Sequence, residues 1–291
     1  MRLGVVITQT RPWRQLRQDF AWAEEAGYDV AYVYDHLTHP TAPGQWLSDG
    51  FTTLGALAAS TTRLELGTLV ASATMHSPVS LARRAGTVQD VSGGRFVLGL
   101  GAGSPREAMA DRGETVTAGQ MFAHLVDLVA GLDAVWKGAT EWTGETRSFS
   151  GLQTLPLPDG TPPPFLLLAA HGPKAIALTA RHGDGWNTYG GPSSVELEPE
   201  EYWSAVGAQA ERFGAACEAI GRDPGQPRRS LLLGYGTVRP TRSVAEYLDA
   251  IGRAEELGFD EVVVYGPFGE PGDRFWSEPD VHAEVLARRT A

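Results

Sequence analysis

Short apolar runs alternate with helical patterns along this chain, and that alternation restricts it to an α/β fold built on a mostly parallel sheet. The runs are Leu3 to Ile7, Val30 to Tyr34, Leu64 to Val70, Phe96 to Leu100, Phe165 to Leu168, Gly185 to Thr188, Leu231 to Val238 and Glu261 to Tyr265. Phe96 to Leu100 has no polar face, as a strand covered on both sides requires. Between the runs, Pro12 and Ser77-Pro78 read as helix starts, and further helices are expected over Pro173 to His182, Pro199 to Ile220, Val244 to Gly258 and Val281 to Arg289. Eight strands, each followed by a helix, predict a closed (β/α)8 TIM barrel, one domain over residues 1–291. One spacing departs from the pattern. Residues 104–164, between the fourth and fifth strands, hold a helix of about Ala118 to Trp136 and a Gly, Pro and Thr rich segment, which predicts an insertion or lid.

Composition narrows the function classes. At a formal net charge of −11, the chain is unsuited to a nucleic acid backbone or an anionic membrane surface. No apolar run approaches the roughly 20 residues of a membrane helix, and the opening residues lead into a strand, so a cytoplasmic protein is expected. Cys217, the single cysteine, sits in a helical pattern and reads as a buried small apolar side chain. His39 and His76 lack metal-ligand spacing, and no metal is expected.

A barrel directs attention to the C-terminal ends of its strands. There stand Asp35 and His36 after the second strand, Leu69 and Val70 at the third, and Gly101, Gly103, Ser104 and Glu107 after the fourth. His171, Gly172, Pro173 and Lys174 follow the fifth. Gly101 and Gly103 let backbone NH groups approach a ligand, and they equally suit a tight strand-to-helix turn. Arg106 occupies the place of the third glycine in a dinucleotide fingerprint, so that motif is absent. An imidazole such as His36 carries or releases a proton near neutrality. Glu107 reads either as an acid or hydrogen-bond partner in the site or as an exposed carboxylate at a helix start. Lys174, one of two lysines with Lys137, begins a helix where backbone NH groups favour an anion; an ordinary exposed lysine is the other reading.

These residues also carry a likeness. Glu24-Glu25-Ala26-Gly27-Tyr28-Asp29 with Asp35-His36, Ala58 to Arg63 running into Leu66-Gly67-Thr68, Ser92-Gly93-Gly94-Arg95 and Gly99 to Gly103 resemble the bacterial luciferase-like flavin and deazaflavin oxidoreductases. Gly172-Pro173-Lys174 and Asp184-Gly185-Trp186-Asn187 extend the match. Within that superfamily the pattern is most similar to the branch using coenzyme F420, a hydride-carrying deazaflavin, with an FMN-dependent monooxygenase as the alternative. The resemblance implies a small-molecule substrate and a homodimer. It implies a non-proline cis peptide at Leu69-Val70 beneath the cofactor ring, and His36 as proton donor or anchor with Asp35 orienting it. Gly101, Gly103 and Ser104 are placed by the same likeness near the ring, and His171, Gly172, Pro173 and Lys174 near its edge or anionic tail. The chain departs from the sugar-phosphate dehydrogenases of that branch: Ser104-Pro105-Arg106 stands where they have a glutamate directly after the glycine pair.

Overall fold

The computed structural model describes residues 1–39, 44–154, 157–268 and 272–289. In chain order the elements are β1 (Arg2–Val6), α1 (Trp13–Ala26), β2 (Val30–Asp35), α2 (Gly50–Ala58), β3 (Glu65–Ser72), α3 (Pro78–Val91), β4 (Phe96–Gly101), α4 (Pro105–Arg112), α5 (Ala118–Trp136), β5 (Trp142–Thr143), β6 (Ser148–Phe149), β7 (Phe165–Ala169), α6 (Pro173–His182), β8 (Gly185–Thr188), α7 (Pro199–Glu218), β9 (Arg228–Leu232), α8 (Val244–Glu256), β10 (Glu261–Tyr265) and α9 (Pro279–Arg289). Eight strands close into a barrel in the order β1-β10-β9-β8-β7-β4-β3-β2, while β5 and β6 form a separate antiparallel pair. The expected (β/α)8 architecture is therefore present. All residues of β2, β4 and β10 are buried, as parallel strands flanked by helices require. Among the described residues, no helix is long and apolar enough to cross a membrane.

The chain divides into two compact units, residues 1–7, 14–32 and 167–291 in one and residues 8–13 and 33–166 in the other. In the first unit, the carboxylate of Glu261 is fully buried and collects the hydroxyls of Tyr32 (3.0 Å) and Ser230 (2.9 Å). Arg2 (3.4 Å) and Arg228 (3.6 Å) supply its counter-charge. That network corrects one sequence expectation. The seventh barrel strand covers Arg228–Leu232, not Leu231 to Val238. Hydropathy favours the leucines, but polar Ser230 belongs to the strand because its side chain enters the buried network. Gly234, at φ +94°, turns the chain soon after the strand's end. A second buried cluster centres on His282, which meets the hydroxyls of Tyr28 (2.6 Å) and Ser277 (2.7 Å).

In the second unit, Arg95 ties two loops together: its guanidinium donates to the carbonyls of Ala58, Thr61 and Leu64 and to the Thr61 hydroxyl. Residues 104–149 hold two helices and a strand pair, more regular structure than a single helix beside a Gly, Pro and Thr rich segment. Asp127 on α5 accepts the backbone NH of Glu145 (3.2 Å), Thr146 and Arg147 (3.0 Å) and the Thr146 hydroxyl (2.7 Å), so one carboxylate fixes the turn between β5 and β6. The hairpin then sends Arg147 to the carbonyl of Ala73, just beyond β3, at 2.7 Å.

Candidate active site

At the C-terminal ends of β2, β3 and β4 the second unit brings most of its sequence-predicted residues together. The close approach starts at Gly99, where a Cβ would lie 2.0 Å from the carbonyl oxygen of Thr68. Thr68 replaces the regular ladder there, its hydroxyl donating to Gly99 O (2.8 Å) and accepting from Gly99 N (3.1 Å). The β3–β4 register shifts between Gly67 and Ala71, and the Leu69-Val70 peptide within that interval is cis. Ser72 follows, paired with Gly101 in the ladder and bonded through its hydroxyl to Thr74 at 2.8 Å. Gly103 stands against both, at φ +90°, where a Cβ would lie 2.3 Å from the Ser72 oxygen. Only glycine fits that conformation and that space.

Ser104 caps α4: in extended conformation it accepts the NH of Glu107 at 3.2 Å, and Pro105 opens the first turn. This cap fixes where Glu107 points. Its side chain is buried, not exposed at a helix start, and Oε1 lies 2.5 Å from Nδ1 of His36. Burial works to raise the Glu107 pKa, but the hydrogen bond and charge of His36, with lesser help from the Ser72 hydroxyl and the Leu37 amide, outweigh it and hold the carboxyl below its ordinary value. It is ionised at neutral pH. The other oxygen, Oε2, is buried without a hydrogen-bond partner of normal geometry. His36 keeps a quarter of its side chain exposed, at 25%, and Nε2 is its remaining ring nitrogen.

Asp35 does not orient His36. Its carboxylate lies 2.5 Å from Nε2 of His76, a histidine that spacing alone left without a role. Arg84 donates to His76 Nδ1 at 3.2 Å, so that nitrogen is the acceptor and Nε2 carries the proton given to Asp35. Two acid–imidazole pairs thus interlock through adjacent residues of one strand end, Asp35 with His76 and His36 with Glu107. Neither partner is near its mate in sequence.

In the first unit, His171 follows β7. Its Nδ1 lies 3.0 Å from the Thr188 hydroxyl, which itself donates to Gln209 (2.7 Å), so His171 is the donor. Burial pushes the His171 pKa down to about 4 and keeps the ring neutral. Tyr189 packs edge-on against it, the ring centroids 4.5 Å apart. Gly172 caps α6 with backbone only, Pro173 opens the helix, and Gly172, Pro173 and Lys174 are exposed. Asn187 belongs to the structural network, donating to the Ser230 hydroxyl at 2.9 Å.

With this geometry in place, comparisons with known proteins are informative. The family model described as luciferase-like monooxygenase matches residues 1–246. The chain belongs to that family. An uncharacterised protein of Mycobacterium tuberculosis is 30% identical, with 92% of this chain and 91% of that protein covered. The F420-dependent glucose-6-phosphate dehydrogenase of Nocardia farcinica is 29% identical over 72% of this chain and 62% of its own length. A solved monooxygenase from Streptomyces bottropensis superposes with a TM-score of 0.78 at 20% identity, covering 100% of both chains, a likeness of fold.

Proposed function

We propose that this chain is an oxidoreductase that uses coenzyme F420 to add hydride to, or remove it from, a small organic substrate. The F420-dependent relative from Nocardia and the motifs running from Asp35-His36 to Asn187 support the cofactor. One observation carries the reading: a buried, ionised Glu107 grips His36 at 2.5 Å and fixes a ring that stays a quarter exposed. The backbone at Gly103 packs directly on the Ser72 and Thr74 hydroxyls, a glycine-only approach that keeps the strand ends close together beside His36 and Glu107.

F420, when bound, supplies the hydride chemistry. The chain's own residues do the rest. Leu69, Val70, Gly101, Gly103 and Ser104 form the bed for the ring. Glu107 holds the proton on His36 Nδ1, which leaves Nε2 to take a proton from a substrate oxygen or return one. Asp35 stiffens the same strand end through His76. His171 and the first turn of α6, Gly172, Pro173 and Lys174, are assigned to the anionic tail. The homodimer and cytoplasmic location implied by the resemblance belong to the same reading, and sedimentation of the purified protein checks the first.

An FMN-dependent monooxygenase is the second reading, favoured by the family's description and by the Streptomyces structure. Turnover of a panel of alcohols and ketones with F420 or its reduced form, by wild type and His36→Ala, tests the proposal. His36→Ala is expected to retain F420 binding and lose turnover by about 10²-fold or more. Undiminished turnover in the variant contradicts the role of His36, and oxygen-dependent turnover with FMN alone favours the second reading.

A further inference from the structure

A cavity of about 430 Å³ opens where β9 and β10 end, entirely within the first unit, lined in part by Leu233, Gly234 and Tyr265. None of its residues belongs to the site described above. In barrels, the loops after the seventh and eighth strands recurrently hold ligand anions, and β9 and β10 occupy those two places here. We infer that this cavity binds an organic anion with an apolar body, a carboxylate or phosphate ester.

The lining has two characters. Tyr265, Phe275 and Trp276 give it an aromatic wall, in which Tyr265 and Phe275 stack at 3.8 Å with planes 8° apart. Beside that wall stand Arg239, Arg242 and Arg274, against Asp273 and Glu278, so three guanidiniums less two carboxylates leave one net positive charge. Across the whole chain the balance is −11. A local excess of arginine on so acidic a protein is a selective attraction for an anion.

The three arginines are not equivalent. Arg274 is committed to structure: it donates to the Tyr235 carbonyl at 2.7 Å and lies over the Tyr235 and Phe275 rings. Arg239 makes only a 3.5 Å contact to the Gly236 carbonyl, and for Arg242 no hydrogen bond or ion pair is recorded among the described residues. These two keep their forked donors available, a geometry that matches a carboxylate or phosphate bidentately. A cavity of this volume admits an aryl or short alkyl body as well as the anion.

The claim stands on the cavity alone and does not depend on the oxidoreductase reading. Isothermal titration of the protein with benzoate and phenyl phosphate, using benzyl alcohol as the neutral control, tests it. Saturable binding of at least one anion, absent for benzyl alcohol, is expected, with affinity weakened about tenfold in Arg242→Ala and further in Arg239→Ala/Arg242→Ala. Near-ultraviolet circular dichroism should be unchanged, and Arg242→Lys should restore part of the loss. Binding of benzyl alcohol as tight as that of the anions, no anion binding, or an unaffected double variant overturns the inference. F420 affinity of the double variant is expected to stay within about twofold of wild type; a parallel fall assigns the cavity to the cofactor's tail and overturns the inference of a separate anion site. Wild type that binds benzoate or phenyl phosphate but not F420 refutes the cofactor reading while leaving the anion cavity intact.

Discussion

Glu107 is the residue on which the chemistry turns, because it is a carboxylate kept charged in a buried place chiefly by the His36 imidazole. Glu107→Gln preserves its size and removes the charge. Turnover should fall by about 10² to 10⁴-fold, the range of a lost acid–base function, while F420 affinity changes by less than about threefold. Steady-state kinetics beside a fluorescence titration read both quantities; equal losses in each would make Glu107 a binding residue only. Its place was half legible in the sequence. The residue could be singled out, but whether it faced solvent or His36 depended on the Ser104 cap and the direction of α4, which no local pattern fixes. The same holds for Asp35: adjacency suggested His36 as its partner, whereas alternate strand residues point to opposite sides, and the carboxylate reaches His76 instead.

At the scale of elements, the strand end and the inserted hairpin carry the next two predictions. In Gly103→Ala the new methyl meets the Ser72 oxygen at 2.3 Å in a left-handed backbone conformation. Stability should drop by about 1 kcal/mol or more and F420 affinity by more than tenfold, both measurable by urea unfolding and titration. Asp127→Ala removes the acceptor that gathers the turn from Glu145 to Arg147. Hydrogen exchange at the Thr146 and Arg147 amides should accelerate, with a cost of about 1 to 3 kcal/mol; unchanged protection would show that the hairpin holds itself. Most barrel strands were legible because a strand buried on both faces reads as an apolar run. β9 was misplaced because Arg228 and Ser230 have their reason in Glu261 on the neighbouring strand and Arg229 in the Pro224 carbonyl and the Phe213 ring, and β5 and β6 were missed because each is two residues long and organised by Asp127 on α5.

For the molecule as a whole, two buried histidines set a response to acid. Burial holds His171 and His282 down at about 4, against an ordinary 6.5. Between those values an unfolded chain takes up protons that the native one refuses, so stability is full above about pH 6.5 and declines as pH falls towards 4. The loss is at most about 3 kcal/mol for each histidine. Urea midpoints that stay level from pH 7 to 5 would contradict it. The barrel itself was predictable from alternation and count, since eight strand–helix repeats leave few closed arrangements. What no count supplies is which strand ends do chemistry. Fluorescence titration of F420 with the purified protein, run beside FMN, tests that claim most directly. Saturable quenching in the micromolar range, with FMN at least tenfold weaker, is the predicted result; FMN binding as tightly as F420, or no quenching at all, would contradict it.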